Sequence, residues 1–251
     1  MIHYHGGPIN PESCAVETWA GRHAFVSFAR PHQIEMIGAI AQTFACDNGA
    51  FTKWKEAAGE TINWDEYYPW VKRWMNHPGF DFAIIPDVID GGEAENDALL
   101  AEWPHGKIVG VPVWHMNESD DRFIRLCNEY PRVAIGSCGE YDVKSPRKAV
   151  LRLKDIIRHV VDEYGQPICK LHGLRMLNPA IFTKLPLASA DSTNVARNCK
   201  LDTKWKGPYE PATLTDRAYV LVRRIESRNS AVKLEYNEEA ERFTPQLSLE
   251  V

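Results

Sequence analysis

The sequence contains no long apolar run. None of its apolar stretches approaches the roughly 18 consecutive residues that a membrane-spanning helix needs. The N-terminal segment MIHYHGGPIN lacks the basic and then apolar order of a secretory signal peptide. From these two absences we expect a cytoplasmic protein that has no membrane partner.

Short cysteine motifs are absent as well. The chain has 6 cysteines, and the closest two, Cys127 and Cys138, lie 11 positions apart, so there is no C-x-x-C pair to bind zinc or exchange disulfides. Several cysteines lie within apolar runs, which favours buried, reduced thiols. The P-loop, the G-x-G-x-x-G dinucleotide motif and the G-x-S-x-G nucleophile elbow are missing too.

Positive charge is not in excess. The formal net charge is −5 over 251 residues, so binding to nucleic acid would require a local basic face. Apolar residues make up 44% of the chain and charged residues 25%, which is typical of a globular protein with enough core for one large domain or two small ones.

What the chain does contain is a regular alternation of short apolar runs with longer amphipathic segments. The apolar runs are candidate strands because they are almost continuously apolar, as parallel strands buried on both faces must be. They lie at 2–6, 23–29, 43–48, 81–87, 107–115, 132–137, 168–173 and 186–191. The clearest helix lies at 145–165, where Ser145 could cap it, Pro146 suits its first turn and Gly165 could end it.

This alternation predicts an α/β fold, a single (β/α)8 TIM-type barrel over residues 1–200 without a zinc subdomain. A doubly wound open sheet is the alternative. Residues 201–251 are expected to form a short C-terminal appendage that packs on the barrel or extends it and could contact nucleic acid. It has one helix candidate at 214–228.

Polar residues stand at the end of nearly every candidate strand. In chain order they are His5, Ser27 or Arg30, Asp47, Asp87, His115, Ser137, His172 and Asp191. In a barrel these strand ends meet at one rim, where active sites lie. Polar groups gathered there cost stability unless they are paired or used. Aspartate pairs suit glycosidic-bond chemistry, and aspartates with histidines suit metal-dependent hydrolysis, so the residues alone leave both open.

Six segments resemble, in order, motifs of the tRNA-guanine transglycosylases. They are FACDNGAF (44–51), IIPDVID (84–90), VPVWHM (111–116), AIGSCGE (134–140), KLHGL (170–174) and LASADSTNVARN (187–198). The first resembles the D-S-G-G-F motif of the family, and the third resembles its V-P-V-x-Q-G strand. The chain departs from these enzymes because it lacks their C-x-C-x-x-C…H zinc subdomain and is shorter. Its size and its HGGPI segment are similar to those of phage 7-deazaguanine DNA transglycosylases.

The resemblance implies a base exchange in which guanine in DNA is replaced by a free 7-deazaguanine base, with tRNA as the alternative substrate and without cofactor or metal. Asp191 matches the nucleophile that forms a covalent bond to the sugar, and Asp47 matches the general acid and base. Asp87 matches the aspartate that recognises the base. Its alternative role, like that of Asp191, is to cap the following helix.

Further residues are assigned to substrate binding by the same resemblance. His115 stands where the family has glutamine, and Ser137 stands where the family has the second of two glycines. The residues expected to contact the base are Asp87, His115, Gly136, Ser137, His172 and Phe51. Those expected to contact the nucleic acid backbone are Arg197, Lys200, Lys204 and Lys206.

Three other readings stay open at this point. A hydrolase would use the same residues but transfer the sugar to water. A non-catalytic module would bind purine bases or modified nucleic acid. A metal hydrolase would use His3, His5, His115 and His172, of which the first two face the same way if residues 2–6 form a strand.

Overall fold

The computed structural model describes residues 1–56, 62–136, 141, 145–201, 205 and 211–235. Within these residues the predicted α/β barrel is confirmed. Nine parallel strands pair in the order β5-β4-β3-β2-β1-β9-β8-β7-β6. The strands are β1 (Ile2–Gly6), β2 (His23–Ser27), β3 (Thr43–Asp47), β4 (Phe80–Ile84), β5 (Gly110–Val111), β6 (Val113–His115), β7 (Arg132–Gly136), β8 (Lys170–Gly173) and β9 (Ser189–Ser192).

The sheet curves back on itself at Pro112. This residue alone separates β5, which pairs with β4, from β6, which pairs with β7. The carbonyl of Pro112 still accepts a hydrogen bond from the N–H of Ala134 at 2.9 Å. Proline has no N–H to donate to a ladder, and this interrupts the strand. Strands β5 and β6 are therefore two halves of one predicted strand. Because one half pairs with β4 and the other with β7, the barrel is nearly closed.

Helices follow the strands and cover the outside of the barrel. They are α1 (Glu12–Trp19), α2 (Ile34–Ile40), α3 (Ala50–Glu56), α4 (Tyr67–Trp74), α5 (Glu93–Glu102), α6 (Gly106–Val109), α7 (Asp120–Glu129), α8 (Pro146–Ile157), α9 (Pro179–Phe182), α10 (Asn194–Asn198) and α11 (Leu214–Glu226). Among the described residues, no helix combines the length and apolarity required to cross a membrane.

Side chains alternate between the inside of the barrel and the layer beneath the helices. Tyr4, Phe25, Phe82 and Val113 fill the inside. Their neighbours along the strands face outward, and Trp114, for example, packs in a cluster with side chains of α7 and α8. This period of two on strands that are buried on both faces explains why the sequence shows continuous apolar runs.

Several element boundaries differ from the prediction, and two of the differences show a physical reason. The apolar run at 107–115 begins in α6, because Lys107, Ile108 and Val109 complete a helical turn before the strand starts. Helix α8 ends at Ile157 and continues as a 3₁₀ turn, Arg158–Val160, so it stops well before Gly165. Gly165 instead takes a φ of 78° in the turn that leads to β8.

Helix α11 belongs to the outer layer of the barrel. Its Ala218 and Val222 are buried in the same cluster as Cys14 and Ala15 of α1. At its end Glu226 accepts hydrogen bonds from His5 at 3.0 Å and Arg22 at 3.2 Å. This part of the predicted appendage is therefore fastened to β1 and packs on the barrel.

The cysteine thiols of the described residues are buried in this framework. They are free, at Cys14, Cys46, Cys127, Cys169 and Cys199. Burial is the main cause that raises the pKa of Cys46 and of Cys199 above the ordinary value, so these two thiols are poor nucleophiles.

Candidate active site

An open cavity of about 1040 Å³ lies at the carboxyl ends of the strands. On several strands, the floor is formed by the inward-facing residue that follows the last core residue of that strand. Two positions beyond core residues Ala45, Val113 and Ala134 come Asp47, His115 and Gly136. Asp87 and Asp191 complete the floor. The cavity is thus large enough for a nucleotide-sized ligand, and three carboxylates form part of its floor.

Asp191 is buried at the end of β9 and holds a fixed orientation. Its Oδ1 accepts a hydrogen bond from the backbone N–H of Arg175 at 2.8 Å, and its carbonyl accepts one from Leu177 at 3.0 Å. Its Oδ2 has no hydrogen-bond partner in the described part of the chain. Asp191 does not cap α10, since the N–H of Asn194 is bonded to the hydroxyl of Ser192. One carboxylate oxygen is therefore anchored and the other is free to react.

His172 lies beneath Asp191 rather than in the cavity wall. The resemblance assigned it to the base, but it is fully buried and packs on the ring of Phe25, with ring centroids 5.3 Å apart. Its Nδ1 lies 2.8 Å from the Ser189 hydroxyl, and its Nε2 lies 3.5 Å from Oδ1 of Asp191 without a good hydrogen bond. Burial lowers the pKa of His172, so the ring is neutral and supports the carboxylate from below.

Asp47 ends β3 and differs from Asp191 in its proton affinity. Its Oδ2 accepts a hydrogen bond from the N–H of Gly49 at 3.2 Å. Burial by the surrounding protein, then the negative charge of Asp191 and more weakly that of Asp87, raise the pKa of Asp47 to about 7. Near neutral pH this carboxyl can hold a proton and also release it, as a general acid and base must.

Asp87 is held between two neighbours and does not cap a helix. Its Oδ1 accepts a hydrogen bond from the side-chain amide of Asn48 at 2.7 Å, and its Oδ2 lies 2.9 Å from Nε2 of His115. Burial lowers the pKa of His115, but the hydrogen bond and charge of Asp87 outweigh it, and the pKa lies above the ordinary value. The pair therefore combines carboxylate acceptor oxygens with an imidazole that is bonded to one of them.

A chain of buried contacts fixes the position of His115. Its backbone N–H donates to Oε2 of Glu118 at 2.8 Å, and the same oxygen accepts from Arg122 at 2.6 Å. The other oxygen of Glu118 accepts from the amide of Asn96 at 2.9 Å. Because each buried charge here has a partner, the backbone of His115 cannot move without breaking this network.

Gly136 makes room for the imidazole. A Cβ at this position would lie 2.7 Å from Nδ1 of His115. We expect Gly136→Ala to push the ring away from Asp87 and to reduce the free energy of unfolding by about 1–3 kcal/mol. Chemical denaturation measures the loss, and Gly92→Ala is the control because a Cβ there meets no atom within 4 Å. Equal stabilities of the two variants would show that the ring is not confined.

The rim of the cavity carries positive charge. Lys55 and Arg175 lie over the ring of Phe51, with Nζ at 4.4 Å and Cζ at 4.3 Å from its centroid. Arg197 also lines the cavity. Arg30 does so as well but is paired with Glu56 at 2.7 Å. Basic side chains thus surround an acidic floor.

The predicted site residues are distributed as follows. Asp47, Asp87, His115, Gly136, Asp191, Phe51 and Arg197 line one cavity. Lys200 is exposed outside the cavity lining. Ser137, Lys204 and Lys206 lie outside the described residues.

Two residues of the site were missed in the sequence. Asn48 follows Asp47 directly, and its position at a strand end was a usable signal. Arg175 carries no such signal, because its role comes from a backbone conformation. Its φ of 59° is left-handed and rare for a residue other than glycine, and strain of this kind gathers at functional sites.

The histidines proposed for a metal site are not brought together. Within the described ranges no three His, Cys, Asp or Glu side chains are grouped so that they could hold a metal ion. His3 and His5 do face the same way, but they face outward, where Nε2 of His3 lies 2.9 Å from the carbonyl of Arg228. His115 and His172 are on the inner face of the sheet.

Comparisons of the chain with protein-family models, with curated proteins and with solved structures found no match in any of the three.

Proposed function

We propose that the protein is a DNA-guanine transglycosylase, which exchanges guanine in DNA for a 7-deazaguanine base through a covalent bond between Asp191 and the sugar. The observation that carries the proposal is the pair of unlike carboxylates in one cavity. Asp191 has one anchored and one free oxygen, whereas the pKa of Asp47 is raised to about 7. A nucleophile next to a protonated acid is the combination that retaining chemistry at an anomeric carbon requires.

The reaction balances with these two groups alone. The free oxygen of Asp191 attacks C1′ of the nucleotide as the bond from C1′ to the base breaks, and the proton of Asp47 goes to the leaving guanine. Asp47, now ionised, removes a proton from the incoming base, whose nitrogen attacks C1′ and releases Asp191. Two inversions at C1′ retain the configuration, and Asp47 ends with its proton restored.

The neighbouring residues support a guanine-like base. Guanine presents N–H donors on one edge, and Asp87 presents carboxylate oxygens that can accept from them, one of which is also bonded to His115. The six motifs that resemble tRNA-guanine transglycosylases support the same chemistry. The chain lacks the zinc subdomain motif of the tRNA enzymes, which favours DNA. A base must leave the helical stack to enter the cavity, so base flipping is part of the proposal.

The proposal is tested by base exchange. Purified protein is mixed with 7-cyano-7-deazaguanine and either duplex DNA or tRNA, and the digested nucleosides are analysed by mass spectrometry. A 7-deazaguanine deoxynucleoside in the DNA sample is the expected result. Product in tRNA alone would assign the tRNA reaction, and abasic sites without product would assign a hydrolase. Guanine left intact in both samples would contradict the proposal.

Substitutions of His115 test base recognition separately from catalysis. We expect His115→Gln to keep exchange within about tenfold of wild type, because an amide can still donate to Asp87 or to a base carbonyl. His115→Leu should lose more than about a hundredfold, since Asp87 would lose one of its two hydrogen-bond partners. The kcat/KM for the incoming base measures both effects. Equal rates for the two variants would remove His115 from base recognition.

A further inference from the structure

The ring of Phe51 contacts two cationic side chains that come from separate parts of the chain. Lys55 comes from the next turn of α3, and Arg175 comes from the segment after β8. Their charged groups lie 4.4 Å and 4.3 Å from the centroid of the same ring. The resemblance gave Phe51 the role of stacking on the base. In the structure its ring instead supports two side chains of like charge.

The two cations have no carboxylate partner among the described residues. The ion pair at the same rim, between Arg30 and Glu56, does not include them. Two like charges held near one ring repel each other, and an aromatic ring returns only about 0.5–1 kcal/mol for each at an exposed site. An anion that contacts both groups would offset that repulsion. The arrangement therefore favours the binding of an anion at the rim.

The position of this site identifies the anion. Arg175 holds Asp191 through its backbone N–H at 2.8 Å and reaches the rim with its guanidinium. Arg175 thus contacts the proposed nucleophile and also reaches the rim. A nucleotide with its anomeric carbon at Asp191 would place its phosphates at the rim in the same way. The floor of the cavity is acidic, so a phosphate is repelled from the floor and attracted to the rim.

We propose that Lys55 and Arg175, held over Phe51, bind a backbone phosphodiester next to the reacting nucleotide. The inference rests on the proposed function in one respect, that the substrate is a nucleic acid strand. It explains the left-handed φ of Arg175, because that conformation aims the N–H at Asp191 while the side chain extends to the rim. The site then sets the distance between the bound phosphate and the attacking oxygen.

The test is the salt dependence of binding. Fluorescence anisotropy measures the Kd of a labelled single-stranded DNA oligonucleotide with one guanine at several NaCl concentrations. Lys55→Gln and Arg175→Gln should each reduce the slope of log Kd against log salt by about 0.7 and weaken binding about fivefold at about 0.1 M salt. Arg175→Gln keeps the backbone N–H that holds Asp191.

Lys53→Gln is the matched control. It removes the same charge from the same helix, but Lys53 lies over Phe28 and does not line the cavity. Its slope should equal that of wild type. If Lys55→Gln and Arg175→Gln behave like Lys53→Gln, or if wild type binds no oligonucleotide in low salt, the proposal is wrong.

A neutral linkage identifies the ligand directly. A methylphosphonate next to the guanine should weaken binding by wild type and have no further effect on the Lys55→Gln/Arg175→Gln double variant. An equal effect on both proteins would overturn the proposal. An RNA oligonucleotide of the same sequence shows whether the phosphate of either sugar is accepted. Oligonucleotide binding does not require base exchange, so the two proposals can fail separately. If the variants change the salt slope but wild type shows no exchange, only the proposed reaction is refuted. If wild type shows exchange but the variants leave the salt slope unchanged, only the phosphate site is refuted.

Discussion

Asp191→Asn should lower the rate of base exchange by at least about a thousandfold, because an amide cannot form the covalent bond to the sugar. The fold should survive, since the amide oxygen can still accept the hydrogen bond that the N–H of Arg175 gives to Oδ1. Quenched-flow or steady-state exchange measures the rate, and thermal unfolding checks the fold.

Asp90→Asn is the control for this substitution. Asp90 also lines the cavity but is exposed at its edge, so the same chemical change there should leave exchange close to wild type. Oligonucleotide binding by Asp191→Asn should persist, which separates loss of reaction from loss of substrate. If Asp191→Asn retains a tenth of the wild-type rate, another group attacks the sugar.

Asp47→Asn should lose about a hundredfold to ten-thousandfold in rate, the usual contribution of general acid and base catalysis. The pH profile gives a sharper test. Since the pKa of Asp47 is raised to about 7, its proton is lost above that pH, and the step that protonates guanine should slow about tenfold per unit above about pH 7 in wild type. This limb should be absent from Asp47→Asn, and a wild-type profile that is flat above neutrality would contradict the assignment.

The same substitution should stabilise the fold. The pKa of Asp47 rises from its ordinary value of 3.8 to about 7 on folding, so the folded state holds the proton more tightly and Asp47 weakens the fold once it ionises. Asp47→Asn removes this cost. Its gain should be absent below about pH 4, grow to about pH 7 and then level off at roughly 1–3 kcal/mol after allowance for solvent screening. Urea unfolding at several pH values measures it.

These opposite effects on rate and stability have one cause. Burial and the charges of Asp191 and Asp87 destabilise the ionised form of Asp47, and that form is needed to accept a proton from the incoming base. The proposed reaction would use this destabilised carboxylate, which gives a reason for its cost to the fold.

The barrel and most of its floor could be predicted because both follow from position along a strand. Parallel strands covered on both faces must be apolar throughout, and the first polar residue at the end of each strand marks the rim. Asp47, His115 and Asp191 were found in this way. The local pattern alone could not show that Pro112 divides one predicted strand into two.

The depth of a side chain in the barrel depends on the register between strands, and this register explains the position of His172. It pairs with Ser189, which lies two residues before Asp191, so its imidazole falls one layer below the rim. Leu174 reaches the cavity in its place. A shift of two residues keeps a side chain on the same face and changes only its height, so the alternation of polar and apolar residues could not reveal it.

Contacts between distant segments were also beyond the sequence. Asn48 bonds to Asp87 across 39 positions, and Arg175 reaches Phe51 and Asp191 from another strand end. Neither contact leaves a periodic signal, because each depends on where loops meet after the barrel has formed. The sequence could identify the candidate catalytic residues but not the residues that hold them.

The measurement that tests the account most directly is a search for the covalent intermediate. Wild-type protein is incubated with a guanine-containing DNA oligonucleotide without incoming base, quenched, and analysed by mass spectrometry before and after proteolysis. The account predicts an adduct whose mass equals protein plus oligonucleotide minus guanine, located on Asp191 and absent from Asp191→Asn. Release of guanine with no adduct, or an adduct on another residue, would contradict it.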